Sequence, residues 1–240
     1  MAIDHRPEPV PSVVEGAIDL PRLYPIVDAS CFPDERALFQ FAEELLVAGV
    51  TLLQYRNKQG SPRQMLSQAR QLRRIAGDHV RLIMNDRADL CLAAGFDGVH
   101  VGQDDLPPDA VRRILGFAQA GSPSRAGFAG DGVEKPLWMG VSTHNPEQLR
   151  RADQTGADYL AIGPVFATSS KANPDPVVGL DGVRAARALT RRPLVAIGGI
   201  TRSNARSVIE AGADAVAVIS DLLLDPRRAV EEFQRCLAGA

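Results

Sequence analysis

The chain lacks most of the features that would take it out of the ordinary globular class. Only three of its 240 residues are cysteine, Cys31, Cys91 and Cys236. They are odd in number, far apart and in no paired spacing, which argues against a disulfide framework or a zinc site and makes a reducing cytoplasm the expected compartment. Aromatic residues make up 5% and Trp occurs once. No basic, aromatic-studded stripe of the kind that grips nucleic acid is present. Charge of one sign is missing too: Lys and Arg number 27 against 29 Asp and Glu, a formal net charge of -2. That is too little for a whole-molecule field toward nucleic acid or an anionic membrane. Apolar runs stop well short of the roughly 18 residues a spanning helix needs. The first residues carry acids and prolines where a secretory signal would be basic and then apolar. No Gly-x-Ser-x-Gly elbow occurs, and His79 and His100 have no metal-ligand spacing, which disfavours acyl transfer and zinc chemistry.

What is present is a rhythm. Met1 to Pro21 is rich in Pro, Glu and Asp and reads as a loosely ordered leader. From residue 22 to residue 240 the chain reads as one catalytic domain. Short Val, Leu and Ile-rich runs recur at Leu23–Val27, Thr51–Tyr55, Arg81–Met84, Gly98–Val101, Trp138–Val141, Tyr159–Ile162, Leu194–Ile197 and Ala215–Ile219. Amphipathic stretches separate most of them, such as Leu38, Phe41, Leu45 and Leu46. A small phrase recurs before strands, as in Ala94-Gly95-Phe96, Thr155-Gly156-Ala157 and Ala211-Gly212-Ala213, where glycine can take the left-handed turn that closes a helix. Near-continuous apolar strands alternating with helices imply an α/β protein with a parallel sheet. Eight such units predict a closed (β/α)8 barrel. A doubly wound sheet is the alternative, but Asp28-Ala29-Ser30-Cys31 after the first strand is no dinucleotide fingerprint. Gly116 to Pro136, dominated by Gly, Ala, Ser and Pro, reads as an insertion on the face away from the catalytic rim or as an oligomer contact, so a homo-oligomer stays open.

In such a barrel, functional side chains sit at the carboxyl ends of strands. Strand two runs into Gln54-Tyr55-Arg56-Asn57-Lys58, and a period of two puts Gln54, Arg56 and Lys58 on one face. Arg as a fork and Lys as a point charge suit a phosphate or diphosphate, although a solvated strand exit looks the same in sequence. Strand three ends in Asn85-Asp86 and strand four in Gly102-Gln103-Asp104-Asp105. Carboxylates on neighbouring loops can share a hard divalent cation such as Mg²⁺; helix N-capping is the competing role for Asp86 and Asp105. Strand five gives Ser142-Thr143-His144, again beside a helix start. Strand six leads into a loop with Thr168, Ser169, Ser170 and Lys171, which reads as an anion clamp and lid or as a plain polar loop. Gly198-Gly199 after strand seven and Ile219-Ser220 after strand eight match the backbone phosphate site that barrels often build there, with a plain tight turn needing two glycines as the competing role.

Taken in order, these residues resemble the thiamine-phosphate synthase family. The blocks that carry the likeness are Gln54–Lys58, Asn85-Asp86, Asp97–Pro107, Gly140–His144, Gly163–Phe166, Lys171, Ala196–Ile200 and Val218–Ser220. The resemblance implies a transferase that joins hydroxymethylpyrimidine diphosphate to thiazole phosphate, releasing pyrophosphate. It implies that Gln54, Tyr55, Arg56, Asn57, Lys58, Asn85, Ser142 and Lys171 hold the pyrimidine diphosphate. Asp86 and Asp105 would hold Mg²⁺, and Thr168, Ser169, Ser170, Gly199, Ile219 and Ser220 the thiazole phosphate. Arg56, Lys58, Lys171 and Ser142 are the implied catalytic set. The chain departs from the family pattern at Ser170, where threonine is usual, and at Tyr55, where an aliphatic residue is usual and which is expected on the helix-facing side. A thiazole tautomerase-like relative and a non-catalytic thiamine-phosphate binder are the rival readings. The diphosphate clamp and the two carboxylates disfavour both.

Overall fold

The computed structural model describes residues 18–121, 136–168 and 175–239. Among these, eight strands, β1 (Leu23–Asp28), β2 (Leu52–Arg56), β3 (Arg81–Asn85), β4 (Gly98–Val101), β5 (Trp138–Thr143), β6 (Tyr159–Ile162), β7 (Leu194–Ile197) and β8 (Ala215–Val218), pair in parallel in chain order. β8 pairs with β1 through Leu23 and Val216, which closes the barrel. The outer layer is α1 (Glu35–Val47), α2 (Pro62–Ala76), α3 (Ala88–Ala94), α4 (Pro108–Gly121), α5 (Pro146–Asp153), α6 (Gly179–Leu189), α7 (Ala205–Glu210) and α8 (Pro226–Ala238). Several helices start where local chemistry favours it. Asp34, Ser61, Asn145 and Asp225 accept backbone N–H bonds at the starts of α1, α2, α5 and α8, and proline opens the last three.

Period two divides each strand between two cores. Val27, Leu53, Met84, Val99, Val141, Leu160 and Val216 face the helices. Tyr24, Ile26, Leu52, Ile83, Trp138, Tyr159 and Val195 fill the barrel interior. Ile18 and Leu20 pack against that inner cluster, so apolar packing starts before residue 22. At the other expected departure, residues 116–121 belong to α4. Residues 122–135 lie outside the described residues.

One device recurs three times. Asp97, Asp158 and Asp214 stand just before β4, β6 and β8. Each accepts from the backbone N–H of a residue near the start of the preceding strand, Leu82 at 2.8 Å, Met139 at 2.6 Å and Leu194 at 2.7 Å. Each also pairs with an arginine from a preceding helix, Arg73, Arg112 or Arg187. The same arginines donate to carbonyl oxygens of the adjoining turn, for example Gly77 and Val80 for Arg73. Helix, turn and two strands are thereby tied at one point. Asp97→Ala leaves the Arg73 guanidinium, 9% exposed, without its carboxylate. The expected loss is about 3 kcal/mol, the range for breaking a buried pair, and urea unfolding checks it.

Candidate active site

A cavity of about 410 Å³ opens at the carboxyl ends of the strands. On one wall are Gln54, Arg56 and Lys58, the residues that period two places together. The Arg56 guanidinium is held by the carboxylate of Asp28, 3% exposed, across the β1–β2 pair. The other oxygen of Asp28 accepts from Ser30 N at 3.0 Å and Ser30 Oγ at 2.7 Å, which fixes the anchor. Next to it, the Lys58 ammonium pairs with Asp86 and lies 3.9 Å from Asp105 Oδ1.

Neither carboxylate is a helix cap. Asp86 has φ +62, and the helix that follows begins after Arg87 with no side-chain cap bond. A non-glycine residue in this region is uncommon and concentrates at functional sites. Asp105 accepts from Gly102 N at 2.8 Å and closes its own loop. Burial pushes the Asp86 carboxyl up to about 6, helped by the neighbouring Asp105 and opposed by Lys58. Asn85, one residue before, also lines the cavity.

Ser142 lines the middle of the cavity and is held from below by His100, whose Nε2 is 2.8 Å from Ser142 Oγ. Burial holds His100 down at about 4, so it is neutral at working pH. His144 also reaches the cavity, with Nδ1 2.6 Å from the Gly163 carbonyl and Nε2 3.5 Å from Asp175. The far wall is Thr168, Gly198, Gly199, Ile219 and Ser220. Gly199 has φ +62, and a Cβ there would stand 2.5 Å from the Ala167 carbonyl. Only glycine fits this turn, which leaves the backbone bare for close approach by an anion.

Two residues expected in contact with ligand lie elsewhere. Tyr55 faces the helix layer, 1% exposed, and its hydroxyl donates to Gln68 on α2. The alternation that turns Gln54 and Arg56 inward turns Tyr55 outward. Asn57 accepts from Gly60 N at 2.7 Å and donates to Gln68 at 3.0 Å, which closes the β2–α2 loop. Neither lines the cavity. Ser169, Ser170 and Lys171 lie outside the described residues. Sequence reading missed Asp28, Tyr24 and Tyr159 and set His100 aside. The parity of β1, β4 and β6 was the available signal, since each lies on the inward register.

A parallel (β/α)8 barrel with cations and carboxylates on one side of its mouth and a glycine turn on the other defines a phosphate-handling barrel enzyme. The family model described as thiamine monophosphate synthase matches residues 23–120 and 129–222. A thiamine-phosphate synthase of Koribacter versatilis is 58% identical over 225 residues, covering 92% of this chain and 98% of that protein. One of Chloroflexus aurantiacus is 44% identical and covers 83% of each chain. Among solved structures, thiamine phosphate pyrophosphorylase from Pyrococcus furiosus matches with a TM-score of 0.74 and 31% identity, over 91% of this chain and 96% of that one. The chain belongs to the thiamine-phosphate synthase family and is an enzyme of that kind, a transferase.

Proposed function

We propose that this chain joins hydroxymethylpyrimidine diphosphate to thiazole phosphate in the cavity at the barrel mouth, with Mg²⁺ and without a general base. The observation that carries the reading is the convergence of Arg56, Lys58, Asp86 and Asp105 on one wall of a cavity whose other wall is the Gly199 turn. The first wall suits a diphosphate and the second a monophosphate.

Among the described residues there is no cluster of three or more histidines, cysteines and acids arranged for a metal. The pair Asp86 and Asp105, two hard oxygen donors sharing one ammonium, fits Mg²⁺, which usually takes one or two carboxylates and completes its shell with water and substrate phosphate. Asp86 and Asp105 would hold the ion, which when bound neutralises charge on the diphosphate. Arg56 grips the diphosphate with the guanidinium edge that Asp28 leaves free, and Lys58 adds a point charge. By resemblance to the family, Lys171, which lies outside the described residues, would add a further cation to the clamp. Negative charge grows on the leaving group as its bond to the pyrimidine methylene breaks, and these fixed cations favour that state over the ground state. The thiazole nitrogen attacks with a lone pair and has no proton to lose. His100, neutral and hydrogen-bonded at both nitrogens, accordingly serves as scaffold. Thr168, Gly199, Ile219 and Ser220 hold the thiazole phosphate so that the nitrogen is in line. Among the described residues, Cys31, Cys91 and Cys236 form no disulfide, and a reducing cytoplasm is the compartment this reading expects.

The test is formation of thiamine phosphate and pyrophosphate from the two substrates, with Mg²⁺ and then with EDTA. Product is expected only with metal. Because a metal must displace the proton from Asp86 below pH 6, the half-saturating Mg²⁺ concentration is expected to rise about tenfold per pH unit there. EDTA-insensitive turnover removes the metal role. Absence of product while thiazole phosphate still binds moves the reading to a tautomerase-like enzyme or a binder.

A further inference from the structure

Five side chains lie on one line of hydrogen bonds through the barrel interior. Gln54 Nε2 donates to the Tyr24 hydroxyl at 3.1 Å, and the Tyr24 and Tyr159 hydroxyls are 2.9 Å apart. The Tyr159 hydroxyl is 3.0 Å from His100 Nδ1, and His100 Nε2 is 2.8 Å from Ser142 Oγ. The end members, Gln54 and Ser142, line the cavity, as do Tyr24 and His100, while Tyr159 does not. The fold makes room for the middle. His100 pairs with Gly140 and Gly140 with Tyr159 across β4, β5 and β6. A Cβ on Gly140 would stand 2.1 Å from Tyr159 Cζ and 2.5 Å from His100 Nδ1. Glycine at this position is what lets the two side chains meet.

Each phenol has one hydrogen to give, and a neutral imidazole has one N–H. Where each phenol passes its one hydrogen along the line, every link points the same way, and the line has two such polarities. When the Gln54 amide N–H donates into it, Tyr24 donates to Tyr159, Tyr159 to His100 Nδ1, and His100 Nε2–H to Ser142. The Ser142 hydrogen is then left for the cavity, and the Gln54 carbonyl oxygen is left to accept. When the amide is turned over, every bond reverses. Ser142 donates to His100 and can only accept from a ligand.

We propose that the relay runs from Gln54 to Ser142, with Tyr24, Tyr159 and His100 as positioning residues that make Ser142 a donor and Gln54 an acceptor toward the bound ligand. The inference rests on the substrate assignment above. An aminopyrimidine diphosphate offers donors at its amino group and acceptors at its ring nitrogens and phosphates, and a single polarity answers both. An oxo analogue puts an acceptor where the amino group was. Meeting it by turning Gln54 would reverse the relay and withdraw the Ser142 donor. Selection at one end is thus enforced at the other.

The relay is tested on the free, metal-stripped full chain by ¹⁵N NMR of the histidine rings, with His100 assigned from the signal lost in His100→Asn. The Nε2–H tautomer at neutral pH is expected, and the Nδ1–H tautomer would overturn the proposal. This readout needs no turnover. An Nε2–H ring in a protein that makes no product upholds the relay direction and defeats the substrate assignment alone. In the active enzyme, Tyr159→Phe keeps the ring and removes the link. It is expected to lower kcat/KM for the pyrimidine diphosphate about tenfold, the scale of one hydrogen bond, with KM for thiazole phosphate unchanged. In a Ser142→Ala background the same change is expected to cost nothing more, because Tyr159 acts through Ser142. An equal tenfold loss in both backgrounds would make Tyr159 a packing residue and overturn its role.

Discussion

Asp86→Asn is expected to lower turnover about a thousandfold while making the metal-free protein more stable above pH 6. Both effects follow from one placement. The carboxylate is only 17% exposed, beside Asp105 and Lys58, so its charge is held at a cost. Its carboxyl sits at about 6 in the folded chain against an ordinary 3.8. Between those values the folded protein keeps a proton that the unfolded chain has lost, so metal-free stability falls as pH rises from about 4 to 6. Asparagine carries no such charge. The advantage of the variant should be absent near pH 4, grow through that window and be complete above pH 6. Asparagine also tolerates φ +62 better than alanine would, so the substitution adds little backbone strain. Thermal unfolding in EDTA across this range, beside turnover in Mg²⁺, checks both halves. A variant that keeps a tenth of normal turnover would remove Asp86 from the metal site. One that is less stable at pH 7 would mean that the Lys58 pair outweighs burial.

The barrel was legible in the sequence because parallel strands covered on both faces leave near-continuous apolar runs, and all eight expected runs overlap the observed strands. The cavity-facing set Gln54, Arg56 and Lys58 was legible for the same reason, through period two. What escaped was information that lives between strands. The recurring glycine phrase was visible, but the aspartate that follows it acts through a backbone N–H of the preceding strand and an arginine some 24 to 46 residues earlier. Asp28 gains its role from the register that sets it opposite Arg56. His100 and Tyr159 are separated by 59 positions and joined by a glycine that carries no chemistry of its own. Tyr55 shows the opposite error. A contiguous motif was carried over whole, although alternation had already turned its second residue to the helices.

Arg56 allows the sharpest separation of folding from chemistry. Arg56→Ala is expected to lower kcat/KM for the diphosphate substrate about a hundredfold or more, and to destabilise the fold by about 2 kcal/mol. The second figure lies below the range for a fully buried pair because Arg56 is itself 22% exposed, and Ser30 still satisfies one oxygen of Asp28. Lysine at this position restores the charge opposite Asp28 but not the fork. A guanidinium can hold Asp28 with one nitrogen and present the others to the diphosphate, whereas an ammonium on a shorter reach must choose. Asp28 is the fixed, buried partner, so the lysine goes to it. Arg56→Lys is therefore expected to regain most of the stability and little of the turnover. Urea unfolding and steady-state kinetics on the two variants decide it. If lysine brings turnover back to within threefold of the parent, charge alone suffices at this wall and the fork geometry set by Asp28 is not used.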